Sequence, residues 1–85
     1  MTVINDLGLH ARAAAQLVRM ARKFSSSITL TREDNGDSAN AKSILSLLYI
    51  AASKGVAMTI RAEGTDEKEA IDAGVQLFGD GFGEL

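Results

Sequence analysis

The single histidine of the chain, His10, stands two residues before Arg12 in "GLHARAAAQLVRMARKF", residues 8–24. A glycine-bearing loop gives way there to a run of helix formers, which puts the imidazole at the mouth of a helix. A helix start leaves backbone N–H groups unpaired and carries partial positive charge, and together these favour an anion. Ala11, Arg12 and Ala13 supply those N–H groups, and Arg12 adds a permanent cation able to grip an oxyanion with two hydrogen bonds. Cationic surroundings favour the neutral, nucleophilic form of an imidazole. A neutral ring nitrogen beside an anion hole has the parts of a phosphoryl acceptor: an atom to attack phosphorus, and donors for the equatorial oxygens. Spacing alone leaves a second reading open, in which His10 is a surface residue or indifferent cap and Arg12 a solvated charge on a polar face.

The elements that must hold this pair follow from periodicity. "TVIN" (2–5) is β-prone. Ala14, Leu17, Ala21 and Phe24 recur at helical spacing over 11–24, with Arg12, Gln16, Arg19 and Lys23 on the opposite side. "SITLTRE" alternates as a half-buried strand, Asn35-Gly36 signals a hairpin, and a short return strand is expected near Asp37 to Asn40. "SILSLLYIAA" (43–52) suits a helix closed by "SKG", and "VAMTIRAE" (56–63) alternates again. Asp66 with Glu69 makes a capping pattern for a last helix, whose inward stripe is Ile71, Val75 and Phe78. Gly74 inside that helix costs about 1 kcal/mol relative to alanine, which points to close packing. The tail "GDGFGEL" (79–85) is expected to fray. The order is β-α-β-β-α-β-α, an α/β two-layer sandwich with helices covering one face of an antiparallel or mixed sheet.

Composition limits the function classes. The chain of 85 residues, 46% apolar and with charges of both signs, holds one domain, residues 1–85. No apolar run approaches the roughly 20 residues of a membrane span, and the N-terminus has no basic n-region or cleavage site. The simplest address is the cytoplasm, without membrane insertion. Without cysteine there is no disulfide or thiolate chemistry, and one histidine leaves few ligands for a structural metal. A net charge of −2 argues against nucleic acid as a partner. The charge is uneven, however: Arg12, Arg19, Arg22 and Lys23 make one helix basic, whereas Glu63, Asp66, Glu67, Glu69 and Asp72 make another region acidic. That asymmetry would steer an acidic partner to the basic side.

"GLHARAAAQLVRMARKF" closely resembles the active-site segment of the histidine-containing phosphocarrier (HPr) family of the phosphoenolpyruvate-dependent phosphotransferase system. "ANAKSILSLLYIAASKG" is similar to that family's second signature, a serine opening a short helix, and "VAMTIRAEGTDEKEAIDAGVQLF" to its last strand and helix. The resemblance runs to about Phe78. It implies a four-stranded antiparallel sheet with three helices on one face. It further implies that enzyme I phosphorylates His10, with phosphoenolpyruvate as ultimate donor, and that the phosphoryl group passes to sugar-specific components. Arg12 matches the motif's arginine, and Ser43 matches the serine modified in some members by a kinase/phosphorylase. A carrier of this kind is a monomer that needs no cofactor and no metal, and turns over no small molecule of its own. One departure stands out: Ala13 occupies the place of the family's proline, restoring an N–H at the helix mouth. It leaves the rate and geometry of transfer open and is compatible with a nitrogen-related or regulatory circuit.

A different class of function has its own sequence feature. "SILSLLYI" carries more apolar positions than one helix can bury on one face: Ile44, Leu45 and Leu48 cluster on one side, Leu47 and Ala51 on another. The first cluster is the expected partner surface. The alternative reading is an HPr-like regulatory module that docks to a kinase or regulator and makes little use of His10. An independent enzyme stands further off, since a two-layer domain of this size rarely supplies a deep pocket.

Overall fold

The computed structural model describes residues 1–85. The alanine-rich run after His10 forms a helix over Ala11–Ala21 (α1), burying Ala13, Ala14, Leu17, Val18 and Ala21. Ser27–Arg32 (β1) and Ser38–Asn40 (β2) pair antiparallel, with Leu30 opposite Ala39. Between them the Asn35-Gly36 turn forms as its residue types require: Gly36 has φ 77°, and the Asn35 side chain accepts the Asp37 N–H at 2.9 Å. A second helix spans Ile44–Ile50 (α2), shorter than the 43–52 pattern, because Ala51 turns left-handed at φ 48° and ends it before the glycine. Met58–Glu63 (β3) then pairs with the other edge of β1, antiparallel, from Ser27 opposite Glu63 to Arg32 opposite Met58. Glu67–Gly79 (α3) and a 3₁₀ turn at Gly81–Gly83 complete the chain.

The sheet order is β2-β1-β3. Ile28 and Leu30 of β1 and Met58 and Ala62 of β3 are buried against the helices, whereas Thr59 and Arg61 point to solvent. The fold is thus α+β, with three helices on one face of an antiparallel sheet. Leu9, Leu17, Leu30, Leu47, Met58, Phe78 and Phe82 share one core. The main-chain approach of α3 to β3 depends on Gly74, where a Cβ would overlap the Ile60 side chain.

Four expectations are corrected. The sheet has three strands, not four: "TVIN" makes only an isolated antiparallel bridge, Thr2 with Ala57. Its main chain exchanges bonds with the segment before β3, Val3 N–H to Val56 O at 3.0 Å and Gly55 N–H to Val3 O at 2.8 Å. The pairing stops there, and the Asn5 carbonyl accepts the Gly8 N–H at 3.2 Å in a turn instead of bonding a neighbouring strand. The tail does not fray; Phe82 is buried on Phe78 and anchors it. The buried stripe of α3 is Ala70, Gly74 and Phe78, with Val75 47% exposed, since Gly74 and not Val75 faces β3. Asp66 and Glu69 form no capping box. The Asp66 carboxylate turns away from its own helix to accept the N–H groups of Ser25 and Ser26, at 2.9 and 3.0 Å, and the Ser26 hydroxyl.

Candidate functional site

Gly8 sets the entry to α1. It has φ 63°, and a Cβ there would stand 2.5 Å from the Ala52 carbonyl oxygen, so only glycine lets the loop cross behind α2 at this distance. The next residue fastens the crossing, Leu9 N–H donating to Ala52 O at 2.9 Å. His10 then takes the N-cap position with φ −74° and ψ 179°. The first helical bond runs from Ala14 N–H to His10 O at 2.9 Å, and the N–H groups of Ala11, Arg12 and Ala13 have no backbone acceptor. These are the unpaired donors that the helix start leaves for an anion. The His10 ring makes no cap bond to them.

Instead the ring meets a carboxylate from the far end of the chain. His10 Nε2 lies 2.6 Å from Glu84 Oε2, with the two side chains 27% and 12% exposed. The surroundings of the imidazole are therefore not purely cationic, contrary to the expectation from Arg12 and the helix start. The second carboxylate oxygen, Oε1, accepts a hydrogen bond from Asn5 Nδ2 at 2.9 Å. The same amide nitrogen donates to Gly8 O, also at 2.9 Å, tying the tail to the loop that delivers His10. The bonds from Asn5 and His10, with the charges of His10 and Arg12, hold the Glu84 carboxyl below its ordinary range.

Arg12 is exposed and outside every ion pair, its guanidinium available to a ligand. With Asp6, Leu7, Gly83 and Glu84, the last of which bonds the His10 ring, it lines an open cleft of about 400 Å³. Asp6 is engaged by Lys54 at 2.7 Å, which lowers its carboxyl. Arg19, Arg22 and Lys23 continue the basic face into solvent. Nowhere do three or more His, Asp or Glu side chains gather as a metal-binding group, and no helix is long and apolar enough to cross a membrane.

Ser43 caps α2, its hydroxyl accepting the Ser46 N–H at 3.2 Å. Beyond it, Leu47 and Ile50 are buried, while Ile44, Leu45 and Leu48 are 40%, 79% and 37% exposed. Ala51, grouped by the periodicity with Leu47, is exposed at the left-handed cap. Three members of these groups escaped the sequence reading. Tyr49, 82% exposed, joins the apolar surface of α2. Asn5 and Glu84 join the histidine; an isolated polar residue at the end of the apolar run "TVIN" was a signal for the former, and nothing local marked the latter.

A family model described as the PTS HPr component phosphorylation site matches residues 1–80. The phosphocarrier protein HPr of Cupriavidus necator is 45% identical over 83 residues, covering 98% of this chain and 91% of that protein. The phosphocarrier protein NPr of Proteus mirabilis is 42% identical over 84 residues, covering 99% and 92%. A crystal structure of HPr from Thermoanaerobacter tengcongensis superposes with a TM-score of 0.91 at 42% identity, covering 100% of this chain and 93% of that one. An HPr dimer from the same organism superposes with a TM-score of 0.80 at 44% identity, covering 99% and 94%. Sequence and fold agree over nearly the full length, and the chain belongs to the HPr family of phosphocarrier proteins of the phosphotransferase system.

Proposed function

We propose that His10 is the phosphoryl acceptor of this phosphocarrier and that enzyme I, charged by phosphoenolpyruvate, is its donor. The observation that carries the reading is the placement of the imidazole at the α1 N-cap beside three unpaired N–H groups. An incoming phosphoryl group would find those donors and Arg12 arranged around its equatorial oxygens, where charge accumulates during transfer. Nε2 is occupied by Glu84, so Nδ1 is the nitrogen available to phosphorus. The load then passes to sugar-specific components; the carrier itself turns over no free substrate. In this reading the protein works in the cytoplasm as a monomer, with a serine kinase/phosphorylase acting on Ser43 where such an enzyme is present. Ile44, Leu45 and Leu48, joined by Tyr49, form the docking surface, and the basic face of α1 attracts acidic partners.

The test is incubation with enzyme I and phosphoenolpyruvate. The wild-type protein should gain one acid-labile phosphate, and His10→Ala should gain none while keeping its fold. Phosphate on the His10→Ala protein would reject the assignment. The exposed apolar surface of α2 also favours a second reading, a regulatory module that docks to a kinase or regulator. That reading takes precedence if the wild-type protein binds enzyme I yet accepts no phosphate.

A further inference from the structure

The turn that ends α2 lies between the sheet and the loop that delivers His10, and it is held from both sides. From the loop, Leu9 N–H donates to Ala52 O at 2.9 Å, and Gly8 packs against the same carbonyl. From the sheet, Arg32 at the end of β1 donates from Nη1 to Ile50 O at 2.8 Å and, at the limit of bonding, to Ala51 O at 3.5 Å. Ile50 and Ala52 are buried, which leaves their main chain little room to shift. Between them Ala51 takes φ 48° and ψ 41°, the left-handed conformation in which helices commonly end on glycine, because a Cβ is strained there.

Nothing within α2 offsets that strain. The helix has seven residues and no basic side chain in its last turn, so its terminal carbonyls receive no cation of their own. Arg32 supplies one from another element. Its Nε and Nη2 grip the Asp34 carboxylate at 3.0 and 2.7 Å, which leaves Nη1 aimed at the carbonyls. The main chain beneath is fixed as well. Arg32 N–H donates to Asp37 O at 2.8 Å, Arg32 O accepts the Gly36 N–H at 2.9 Å, and Met58 lies opposite across the ladder. A bond donated by a cation held this firmly is about twice as strong as one between neutral groups.

We propose that Arg32, braced by Asp34, is a positioning residue for phosphoryl transfer: it pins Ala51 in the left-handed conformation and so holds Ala52 O where the His10 loop must land on it. The inference rests on His10 being the acceptor. A partner that charges His10 must meet two surfaces at once, the α2 side chains Ile44, Leu45 and Leu48 and the acceptor at the α1 N-cap. The Ile50–Ala52 turn is the covalent end of the first and the hydrogen-bonded support of the second, so its conformation sets their relative position. Without Arg32, Ala51 leaves the left-handed region in part of the population, and only the remainder presents both surfaces in register. The apparent affinity for the partner falls by that fraction, whereas a molecule once docked reacts as before. An arginine that merely tied two surface segments together would act independently of the residue at position 51.

The experiment compares wild type, Arg32→Ala, Ala51→Gly and the double variant. It reads amide hydrogen exchange and steady-state charging by enzyme I and phosphoenolpyruvate, with the carrier as the varied substrate. Arg32→Ala should speed exchange at the Leu9 N–H about tenfold relative to Leu30 in the middle of β1, the loss of one charge-assisted hydrogen bond. It should raise the KM for the carrier several-fold at unchanged kcat. Ala51→Gly should behave as wild type, because glycine keeps the left-handed turn without help. In that background, removal of Arg32 should change both readings by less than about twofold. Wild-type KM and Leu9 exchange in Arg32→Ala, or equal losses in the two backgrounds, would overturn the proposal. If Arg32→Ala does not fold, Arg32→Lys, which keeps the charge but cannot grip Asp34 and the carbonyl together, takes its place with the same outcomes at smaller size. Wild type that takes no phosphate fails the parent reading alone, and Leu9 exchange across the four proteins still decides the part played by Arg32.

Discussion

Phe82 lies edge-on to Phe78, with ring centroids 4.9 Å apart and ring planes at 63°. The pair explains why a glycine-rich tail is ordered: one large ring buried at its centre offsets the entropy of fixing the residues around it. The contact holds Phe82 at φ 56°, a left-handed conformation that costs a bulky residue roughly 1–3 kcal/mol. Phe82→Ala should release residues 80–85 and with them the Glu84 contact to His10, seen as loss of amide-exchange protection in the tail. The global effect should be smaller than that of Phe78→Ala, which opens the main core at a cost of about 3–5 kcal/mol. Equal losses of Tm in the two variants would mean that the tail unfolds with the core and is not a separately releasable segment.

Gly74 and Ile60 form the closest approach of α3 to the sheet. Alanine at 74 is favoured by helix propensity by about 1 kcal/mol, yet its Cβ would overlap Ile60 Cδ1. Gly74→Ala should therefore destabilise the protein by about 1–3 kcal/mol through overpacking. Ile60→Val removes the obstructing methyl, so the double variant should be more stable than the sum of the single effects. Additive free energies in denaturant melts would place the cost of Gly74→Ala elsewhere.

Asp66 gives the protein an acid-sensitive joint between α3 and the Ser25–Ser26 link into β1. The Ser26 hydroxyl, followed by the Ser25 and Ser26 N–H groups, lowers its carboxyl from an ordinary 3.8 to about 2. A group whose folded pKa lies below its unfolded value adds stability above the unfolded value and loses it as pH falls through the folded one. The stabilisation from Asp66 should thus be complete above about pH 5, decline between 3.8 and about 2, and be gone below that range. Asp66→Asn should lower Tm at neutral pH by an amount that shrinks toward zero over the same acid window. A Tm difference independent of pH would show that the hydrogen bonds survive without the charge.

Ser43 separates two roles that one hydroxyl could combine. Its Oγ caps α2, so Ser43→Ala should cost about 1 kcal/mol of stability with little effect on charging by enzyme I. Ser43→Asp keeps a capping oxygen and adds charge at a helix start that tolerates it, leaving Tm unchanged or raised. The same charge beside exposed Ile44, Leu45 and Leu48 must lose solvent on docking and would repel an acidic partner. Charging of Ser43→Asp should therefore slow, most strongly at low salt. An unchanged rate at low salt removes Ser43 as a switch.

Much of the protein can be read along the chain, because burial of one face repeats with the period of each element. Leu17 and Ala21 mark the inner side of α1, and Ile28 and Leu30 mark the inner face of β1, through spacing alone. His10 and Arg12 are legible for a related reason: a helix start and the two side chains beside it are local in sequence. The failures share a cause too. "TVIN" has a strand's residue types and alternation, but its main chain turns at Asn5, whose side chain bonds a residue 79 positions away. Val75 fits the helical period of α3, but the face that packs on β3 carries Gly74, against whose Cα the Ile60 side chain lies, so the buried face rotated to Gly74. The glycines of the tail predicted disorder, and one phenylalanine buried on a distant surface outweighed them. Glu84 reaches His10 across 74 residues. No periodicity encodes that distance; packing of α3 against α1 and the fold of the last six residues bring the carboxylate to the ring. Residue types and local spacing therefore determined the acceptor candidate and the helix that presents it, while tertiary packing alone decided which ring nitrogen is covered and by what.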